Sequence, residues 1–256
     1  MDYTNAIRKL VGSLDNARDR RETGLFKAEG WKCVADTLGY FDTELLLLSH
    51  ERLVAMRQRE NFKEIDESKI VVVPNRDFRR MTSLSTASDI IAVYKIPDSR
   101  VDKADLENKL VLALDGIQDP GNLGTILRAA DWFGVQDVIC SQNTADPYSP
   151  KTVMASMGAI SRVRPKKCNL KDIIYQSELT VYGTSLAGTD IYKADLTATG
   201  IIVMGSEGRG MSDEIAGIVD RHLFIPPYPG DSPTSESLNV GMATSIILSE
   251  FRRRLI

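Results

Sequence analysis

The stretch Ser237-Leu238-Asn239-Val240, near the C-terminal end of the chain, opens an apolar segment that runs to Glu250. Two other unusual segments precede it, namely Asn122-Leu123-Gly124-Thr125-Ile126-Leu127-Arg128 and Gly205-Ser206-Glu207-Gly208-Arg209-Gly210. Each segment alone is a weak signal, because glycine-rich turns are common and most of them only satisfy backbone geometry. The three segments in this order, with these residues, form a specific pattern that predicts the fold.

The chain around these segments alternates between strand-like and helical stretches. Beyond residue 100 this alternation is typical of a mostly parallel sheet covered on both faces. In such open sheets a ligand binds at the carboxyl ends of the strands, and each of the three segments follows a strand-like run. The runs are Leu110–Leu114, Asp137–Cys140, Thr180–Thr184, Ile201–Met204 and His222–Ile225.

Residues 1–98 have shorter elements, which predict a small α/β sandwich. A basic amphipathic helix is expected over Asn5–Ala17, and Ile96–Arg100 is typical of a linker because Pro97 ends the strand before it. The other expected elements are strands at Leu45–Leu48, Ile70–Val73 and Asp89–Tyr94, and helices at Lys32–Leu38, Arg52–Arg59 and Asp77–Leu84.

Composition indicates a soluble cytoplasmic protein. The chain has 256 residues with 43% hydrophobic content, which is enough to bury a good core. Its apolar runs are short and its start lacks the features of a signal peptide, so no membrane association is expected. The few widely spaced cysteines and histidines predict neither a disulfide framework nor a metal site. These residues are Cys33, Cys140, Cys168, His50 and His222.

Charge argues against a protein that coats nucleic acid, since the net charge is −3 and the isoelectric point is about 5.6. Positive charge is instead concentrated locally, and a few positioned cations suffice for phosphate contacts. Solvated faces with interleaved acids explain the same pattern equally well. The clusters are Arg18, Arg20, Arg21, Lys27 and Lys32, then Arg57, Arg59 and Lys63, and finally Arg79 and Arg80.

Asn122 and Arg128 follow the strand-like run at Leu110–Leu114 and lie six residues apart. With Asn122 in the loop or at the helix cap, Arg128 falls about two turns further into the helix. A simple cap is the structural alternative for Asn122. Arg128 interrupts an otherwise apolar surface, so we expect it to be partly buried and to need an anionic or carbonyl partner.

The two later segments each have a purely structural alternative. A solvated Glu207 on a plain glycine turn is as consistent with its segment as a functional acid. For the third segment, the structural alternative is that Ser237 caps the C-terminal helix with Asn239 in the first turn. The two residues are redundant for capping, so one of them is available for a ligand.

Two common nucleotide sites are disfavoured by spacing. The glycines at 116, 121 and 124 do not match the dinucleotide fingerprint, and the segment at Gly205–Gly210 lacks the lysine ending of a phosphate-binding P-loop.

The three ordered segments resemble the motifs of the SpoU/TrmH branch of the SPOUT methyltransferases, over nearly all of residues 109–254. That resemblance implies an RNA ribose 2′-O-methyltransferase that uses S-adenosylmethionine and no metal, works as a homodimer, and carries a deep C-terminal trefoil knot. The segment Gly24–Gly30 resembles the L30e-like RNA-binding domain that precedes this catalytic domain in many ribosomal RNA members. The expected organisation is therefore an L30e-like domain over 1–98, a linker over 99–108 and a methyltransferase domain over 109–256.

The resemblance also implies a set of site residues. The catalytic group comprises Asn122, Arg128, Glu207, Ser237 and Asn239. The S-adenosylmethionine pocket comprises Thr184, Ser185, Leu186, Met204, Gly205, Glu207, Gly208, Ile225 and Leu238. The RNA-binding residues are expected to be Arg18, Arg20, Arg21, Lys27 and Arg128.

Arg128 has been interpreted as the proton acceptor in this family, but a guanidinium with a pKa above ~12 is a poor base. We favour Arg128 as the group that holds the target phosphate and stabilises the developing alkoxide.

Two departures from the family pattern concern the loop Tyr228–Glu236, which is longer, and Gly241, which replaces a usual serine. Two alternatives remain open. One is a transfer RNA substrate, and the other is a non-catalytic RNA-binding factor with the same fold. The N-terminal domain favours ribosomal RNA, and the presence of Arg128, Ser237 and Asn239 favours an enzyme.

Overall fold

The structure, a computed structural model, describes residues 1–58, 65–98, 100–230 and 235–255, with no description of the Asp105 side chain. The cations Arg59 and Lys63 and the middle of the loop at 228–236 lie outside these residues. The chain forms two compact units, the first from Met1–Asp98 with Asp146–Ser161 and the second from Ser99–Ala145 with Arg162–Ile256. The segment 146–161, expected within the C-terminal domain, thus packs in the first unit.

Helices and strands mostly alternate along the described chain. In order they are α1 Asn5–Ser13, α2 Ala17–Thr23, β1 Leu25–Glu29, α3 Trp31–Thr37, β2 Thr43–Leu48, α4 His50–Met56, β3 Ile70–Val72, α5 Asn75–Phe78, β4 Ile90–Lys95, β5 Leu110–Asp115, α6 Pro120–Trp132, β6 Asp137–Cys140, α7 Pro150–Ser156, β7 Arg164–Lys167, α8 Leu170–Ser177, β8 Val181–Asp190, β9 Gly200–Gly205, α9 Asp213–Ala216, β10 Arg221–Phe224 and α10 Val240–Arg253.

The first unit is built on a four-stranded sheet in the order β1-β4-β2-β3. Strand β4 is antiparallel to β1 and β2, whereas β2 and β3 are parallel. Both faces of the sheet are covered. One face packs with Val153 and Ile160 of the inserted segment, and the other packs with Val11 of α1. This double burial explains why the central strands are continuously apolar instead of alternating.

Two local predictions for the first unit were wrong, and one strand was missed. The single helix expected over Asn5–Ala17 is two helices, because Asn16 caps a new helix through the backbone N–H of Arg18. The helix expected over Asp77–Leu84 ends at Phe78. Strand β1 was not predicted, because its charged residues are typical of an exposed segment, whereas all five of its residues are buried.

The second unit contains a six-stranded sheet in the order β10-β8-β9-β5-β6-β7, and every pairing in it is parallel. The predicted parallel α/β sheet is therefore confirmed. Apolar clusters lie on both faces of this sheet. Strand β7 was missed because Pro165 and its basic neighbours are untypical of a strand, although an edge position tolerates proline.

Strand order brings the three sequence segments together. Strands β9 and β5 are neighbours, and β10 is separated from β9 only by β8. Since the strands are parallel, the loops that follow β5, β9 and β10 emerge at the same edge of the sheet.

Candidate active site

The loop after β5 presents Asn122 at the start of α6. Asp119 caps this helix by accepting a hydrogen bond of 2.8 Å from the backbone N–H of Asn122. The alternative in which Asn122 is itself the cap is therefore wrong. Its side-chain amide is left available for contacts outside the helix.

The loop after β9 is a tight hairpin over Gly205–Gly210. Ser206 and Gly210 exchange two backbone hydrogen bonds of 2.9 and 2.8 Å. A Cβ atom on Gly205 would lie 2.2 Å from the carbonyl carbon of Gly210, so only glycine allows this close approach. Glu207 is exposed in the turn of the hairpin.

The loop after β10 ends at Asn239, which caps α10. Its Oδ1 accepts hydrogen bonds from the backbone N–H groups of Gly241 at 3.0 Å and Met242 at 3.4 Å. The helix begins at Val240, so the structural alternative in which Ser237 caps it is wrong. One amide serves both purposes, because its oxygen caps the helix while its nitrogen remains free to donate elsewhere.

These three loops meet in a hydrogen-bonded group that we call the acid–amide cluster, comprising Asn122, Glu207 and Asn239. Glu207 Oε1 accepts from Asn122 Nδ2 at 3.0 Å, from Asn239 Nδ2 at 2.7 Å and from the backbone N–H of Val240 at 3.2 Å. Asn239 Nδ2 also lies 3.0 Å from Asn122 Oδ1. Glu207 is therefore a structural centre that orients two amides, and the interpretation of a merely solvated acid is wrong.

Arg128 lies on α6, two turns beyond Asn122. It is exposed, and within the described part of the chain its side chain has no hydrogen-bond or ion-pair partner. The expected partial burial was wrong, because Arg128 is on the open face of a helix whose apolar neighbours Leu127 and Ala129 are buried. An exposed guanidinium without a partner has all its donors available for an anion.

Ser237 is not brought into the acid–amide cluster. It is exposed two residues before Asn239, and its hydroxyl makes no hydrogen bond to any described residue. Within the described structure, its nearness in sequence to Asn239 is what links it to the other predicted catalytic residues.

The residues predicted to bind S-adenosylmethionine begin with a bulge in β8. The pairing with β10 jumps from His222 opposite Gly183 to Leu223 opposite Thr189, so residues 184–188 leave the ladder. Thr184 Oγ1 donates to the carbonyl of Val203 at 3.2 Å, and Leu186 is 70% exposed. The strand expected to end at Thr184 in fact continues after the bulge to Asp190.

The other predicted pocket residues lie in the loops already described. Met204 and Gly205 are the buried end of β9, while Gly208 is exposed in the hairpin. Ile225 directly follows β10 and is partly buried, and Leu238 is 42% exposed beside Asn239. These residues therefore lie at the ends of β9 and β10 or in the loops that follow them, in the same sheet as the β8 bulge.

The sequence analysis did not identify Asp115, which holds the segment just after the Gly205–Gly210 hairpin. Asp115 Oδ2 accepts from the backbone N–H of Ser212 at 2.7 Å and from its hydroxyl at 2.8 Å. Asp115 is the last residue of β5 and is 9% exposed. The sequence signal for this role was an acid at the end of an otherwise apolar strand, because a buried carboxylate needs hydrogen-bond donors.

Two of the predicted RNA-binding cations in the first unit are corrected. Arg20 is 3% exposed, and its guanidinium donates to Asp146 Oδ2 at 2.6 and 2.9 Å and to backbone carbonyls. Lys27 is 1% exposed and pairs with Asp15 at 2.9 Å and Glu29 at 3.1 Å. Both stabilise the fold and cannot reach RNA.

Arg18 and Arg21 are exposed, and Arg18 pairs with Glu22 at 2.6 Å. Of the predicted RNA-binding residues in the first unit, these two are the ones at the surface.

The cysteines are poor candidates for chemistry. Burial raises the pKa of Cys33 and of Cys140 to about 12 and that of Cys168 to about 11, so these thiols stay protonated at neutral pH. Among the described residues, no group of histidine, cysteine and acidic side chains is arranged to hold a metal ion. No helix in the described ranges has the length and apolarity to cross a membrane.

Comparison with known proteins identifies RNA methyltransferases as relatives over most of the chain. The sequence profile of the SpoU rRNA methylase family matches residues 109–249. The 23S rRNA (guanosine(2553)-2′-O)-methyltransferase RlmP of Bacillus subtilis (strain 168) is 28% identical over 245 residues, which is 88% of this chain and 96% of RlmP.

Solved structures agree with the sequence relatives. A TrmH-family protein from Porphyromonas gingivalis superimposes with a TM-score of 0.86 at 36% identity, covering 98% of this chain and 99% of that protein. An AdoMet-bound rRNA methyltransferase from Sinorhizobium meliloti superimposes with a TM-score of 0.85 at 28% identity, covering 100% and 98%. With the family profile matched over more than half of its length, this chain belongs to the SpoU rRNA methylase family.

Proposed function

We propose that this protein transfers the methyl group of S-adenosylmethionine to a ribose 2′-hydroxyl of ribosomal RNA. The observation that carries the proposal is the acid–amide cluster (Asn122, Glu207 and Asn239) with the free guanidinium of Arg128 on the same helix as Asn122. A preorganised group of donors beside an unpartnered cation suits a reaction in which negative charge develops on oxygen.

The residues at the strand ends fit S-adenosylmethionine. The exposed side chains of Leu186 and Leu238 provide apolar surface for a nucleoside, and the bulge at 184–188 takes backbone groups out of the sheet ladder. Gly205 keeps the β9 loop free of a side chain where the backbone approaches closely. When bound, the cofactor supplies a methyl group on a positively charged sulfur, which makes transfer to oxygen an in-line displacement.

Arg128 has the central role among the chain's own residues. Its planar fork of donors suits a phosphate next to the target ribose and the alkoxide that develops on the attacking oxygen. The acid–amide cluster joins the start of α6 to the start of α10 by hydrogen bonds, so that Asn122 and Asn239 orient the ribose. The hydroxyl proton passes to phosphate or water, since a guanidinium does not accept it. Ser237 is assigned to the ribose-contacting group by family resemblance.

Ribosomal RNA is favoured over transfer RNA as the substrate. The rRNA methyltransferases from B. subtilis and S. meliloti match this chain over both compact units. An additional unit before the catalytic one suits a large folded RNA, because it offers contacts beyond the target nucleotide. Such a substrate is consistent with a cytoplasmic enzyme.

The proposal includes five features of organisation. Residues 1–98 act as an L30e-like RNA-binding domain, 99–108 as a linker and 109–256 as the methyltransferase domain. The C-terminal segment forms a deep trefoil knot, and the enzyme works as a homodimer. These features rest on family resemblance, and the parallel sheet of the second unit supports only the assignment of the methyltransferase domain.

The direct test is methyl transfer from S-adenosylmethionine carrying a labelled methyl group to an in vitro transcript of 23S ribosomal RNA. We expect label on ribose, detected by mass spectrometry as a 2′-O-methylated nucleoside, and a Glu207→Ala variant should lose this activity. Label on a base would contradict the proposal. Preferential labelling of a transfer RNA transcript would support the alternative substrate, and RNA binding without transfer would indicate a non-catalytic factor.

A further inference from the structure

Most cations of the second unit are already occupied by partners within the chain. Lys109 and Arg164 pair with Asp137, for example, and Lys171 pairs with Glu214 at 3.0 Å. Through the described part of this unit, two side chains depart from the pattern. Arg128 and Arg209 have no hydrogen-bond, ion-pair or ring partner, while every other lysine and arginine has one. The partnered side chains are those of Arg100, Lys103, Lys109, Arg162, Arg164, Lys166, Lys167, Lys171, Lys193, Arg221, Arg252, Arg253 and Arg254.

Arg209 lies in the hairpin that carries Glu207. Both residues are exposed and both are in the turn closed by the Ser206–Gly210 hydrogen bonds. The backbone N–H of Arg209 donates to Ser206 Oγ at 3.3 Å. Asp115 accepts two hydrogen bonds from Ser212, which follows the hairpin by two residues. The hairpin is therefore fixed after its end as well as at the Ser206–Gly210 pair.

This anchoring fixes the Arg209 backbone relative to the acid–amide cluster. Glu207 is bonded to Asn122 and Asn239, and Arg209 follows it by two residues in the same closed turn. The only acid in Gly205–Gly210 is Glu207, and Arg209 does not pair with it. An exposed guanidinium held beside an active site without a carboxylate is a typical phosphate-binding group.

We propose that Arg209 binds a backbone phosphate of the substrate RNA next to the target nucleotide, as a second guanidinium in addition to Arg128. The inference rests on the proposed function. RNA is favoured because phosphates recur along its backbone, so that an enzyme holding one ribose meets phosphates on both sides of it. Arg209 is then a substrate-positioning residue that strengthens RNA binding and does not take part in the transfer step.

The test compares Arg209→Ala and Arg209→Lys with wild type, using the 23S transcript and the full chain. Lys171→Ala is the matched control, because it removes an exposed cation of the same unit that already has a carboxylate partner. RNA affinity is measured at several salt concentrations, S-adenosylmethionine affinity by calorimetry, and the transfer rate in single turnover at saturating RNA.

Arg209→Ala should weaken RNA binding on the order of tenfold and reduce the slope of log affinity against log salt by about 0.7, the value for one single-stranded phosphate contact. Arg209→Lys should keep that slope, and Lys171→Ala should match wild type. Cofactor affinity and the saturated transfer rate should not change.

Two results would overturn the inference while leaving the proposed function intact. One is unchanged RNA affinity and salt slope in Arg209→Ala, and the other is a loss of S-adenosylmethionine affinity, which would assign Arg209 to the cofactor carboxylate. Failure of the proposed function would show instead as absence of methyl transfer by the wild-type protein.

Discussion

Asn239 combines two roles at the scale of a single residue. Its oxygen caps α10 and its nitrogen donates to Glu207, so helix stability and site geometry depend on different atoms of one amide. Substitutions can separate these roles, because serine also caps a helix well but is too short to replace the donor.

We expect Asn239→Ser to keep the thermal stability of wild type and to lose most methyl transfer. Asn239→Ala should lose both, with a decrease of about 1 kcal/mol in the free energy of unfolding from the missing cap. Denaturant unfolding and single-turnover methylation of the two variants measure this. Near-normal transfer by Asn239→Ser would contradict the role of the acid–amide cluster.

Arg128→Lys tests the phosphate and alkoxide role at the residue scale. Because Arg128 is exposed and has no partner in the described structure, the variant should fold and bind S-adenosylmethionine as wild type does. Loss of the bidentate fork should lower the single-turnover rate about a hundredfold, which corresponds to ~3 kcal/mol of transition-state stabilisation. A lysine variant with wild-type turnover would exclude this role, and one with lowered stability would indicate a structural one.

The Gly205–Gly210 hairpin is the element on which the site depends most, and its glycines are not equivalent. A Cβ on Gly205 would meet the backbone of Gly210 at 2.2 Å, whereas a Cβ on Gly208 would meet nothing within 4 Å.

Gly205→Ala should therefore displace the hairpin, weaken S-adenosylmethionine binding by at least tenfold and lower the melting temperature, since overpacking costs roughly 1–3 kcal/mol. Gly208→Ala is the matched control and should retain stability. Calorimetric titration and thermal unfolding of both variants provide the comparison. Equal behaviour of the two variants would show that the close approach at Gly205 is unimportant.

Helix α10 is held at its C-terminal end by Glu250, which is 4% exposed and accepts from Arg253 and Arg254. The hydrogen bond from Arg253, with that from Arg254, lowers the pKa of Glu250 from its usual 4.5 to about 2. Since the pKa is lower in the folded state, the interaction stabilises the protein fully above pH 4.5 and is lost as the pH falls toward 2.

Glu250→Gln should accordingly lower the free energy of unfolding by about 2 kcal/mol at pH 7. The difference between wild type and variant should shrink below pH 4.5. Urea unfolding of both proteins at a series of pH values from 7 to 3 checks this. A difference that stays constant with pH would mean that the Glu250 charge does not contribute.

At the scale of the whole molecule, the two compact units have separate cores. The apolar clusters on the two faces of the first sheet contain no residue of the second unit, and the reverse is also true. Lys27 and Glu29 are buried in the first unit, while the acid–amide cluster belongs entirely to the second.

We therefore expect scanning calorimetry to resolve two transitions. Lys27→Met leaves Glu29 without its cation and should lower the first unit's transition. S-adenosylmethionine at a hundredfold excess over its dissociation constant should stabilise the second unit by about 2.7 kcal/mol. If both changes shift a single common transition, the units unfold together and the expectation is wrong.

The sequence alone was sufficient for five of the six strands of the second unit, for its parallel character, and for the family and the methyltransferase class. These follow from hydrophobic periodicity and from short motifs, which are encoded locally. The family resemblance implied Asn122, Glu207 and Asn239 as site residues, although not the hydrogen bonds that join them. The roles of the cofactor-binding residues and of Ser237 remain predictions.

Tertiary structure alone decided which charged side chains are buried and which polar groups meet. Arg20 looks like a surface residue in sequence, but its partner Asp146 lies 126 positions away. Asn122 and Asn239 are separated by 117 positions and lie 3.0 Å apart because strand order places their loops at one sheet edge. Burial of a charge and the pairing of distant loops depend on partners that local sequence does not contain, which is why only the folded chain determines them.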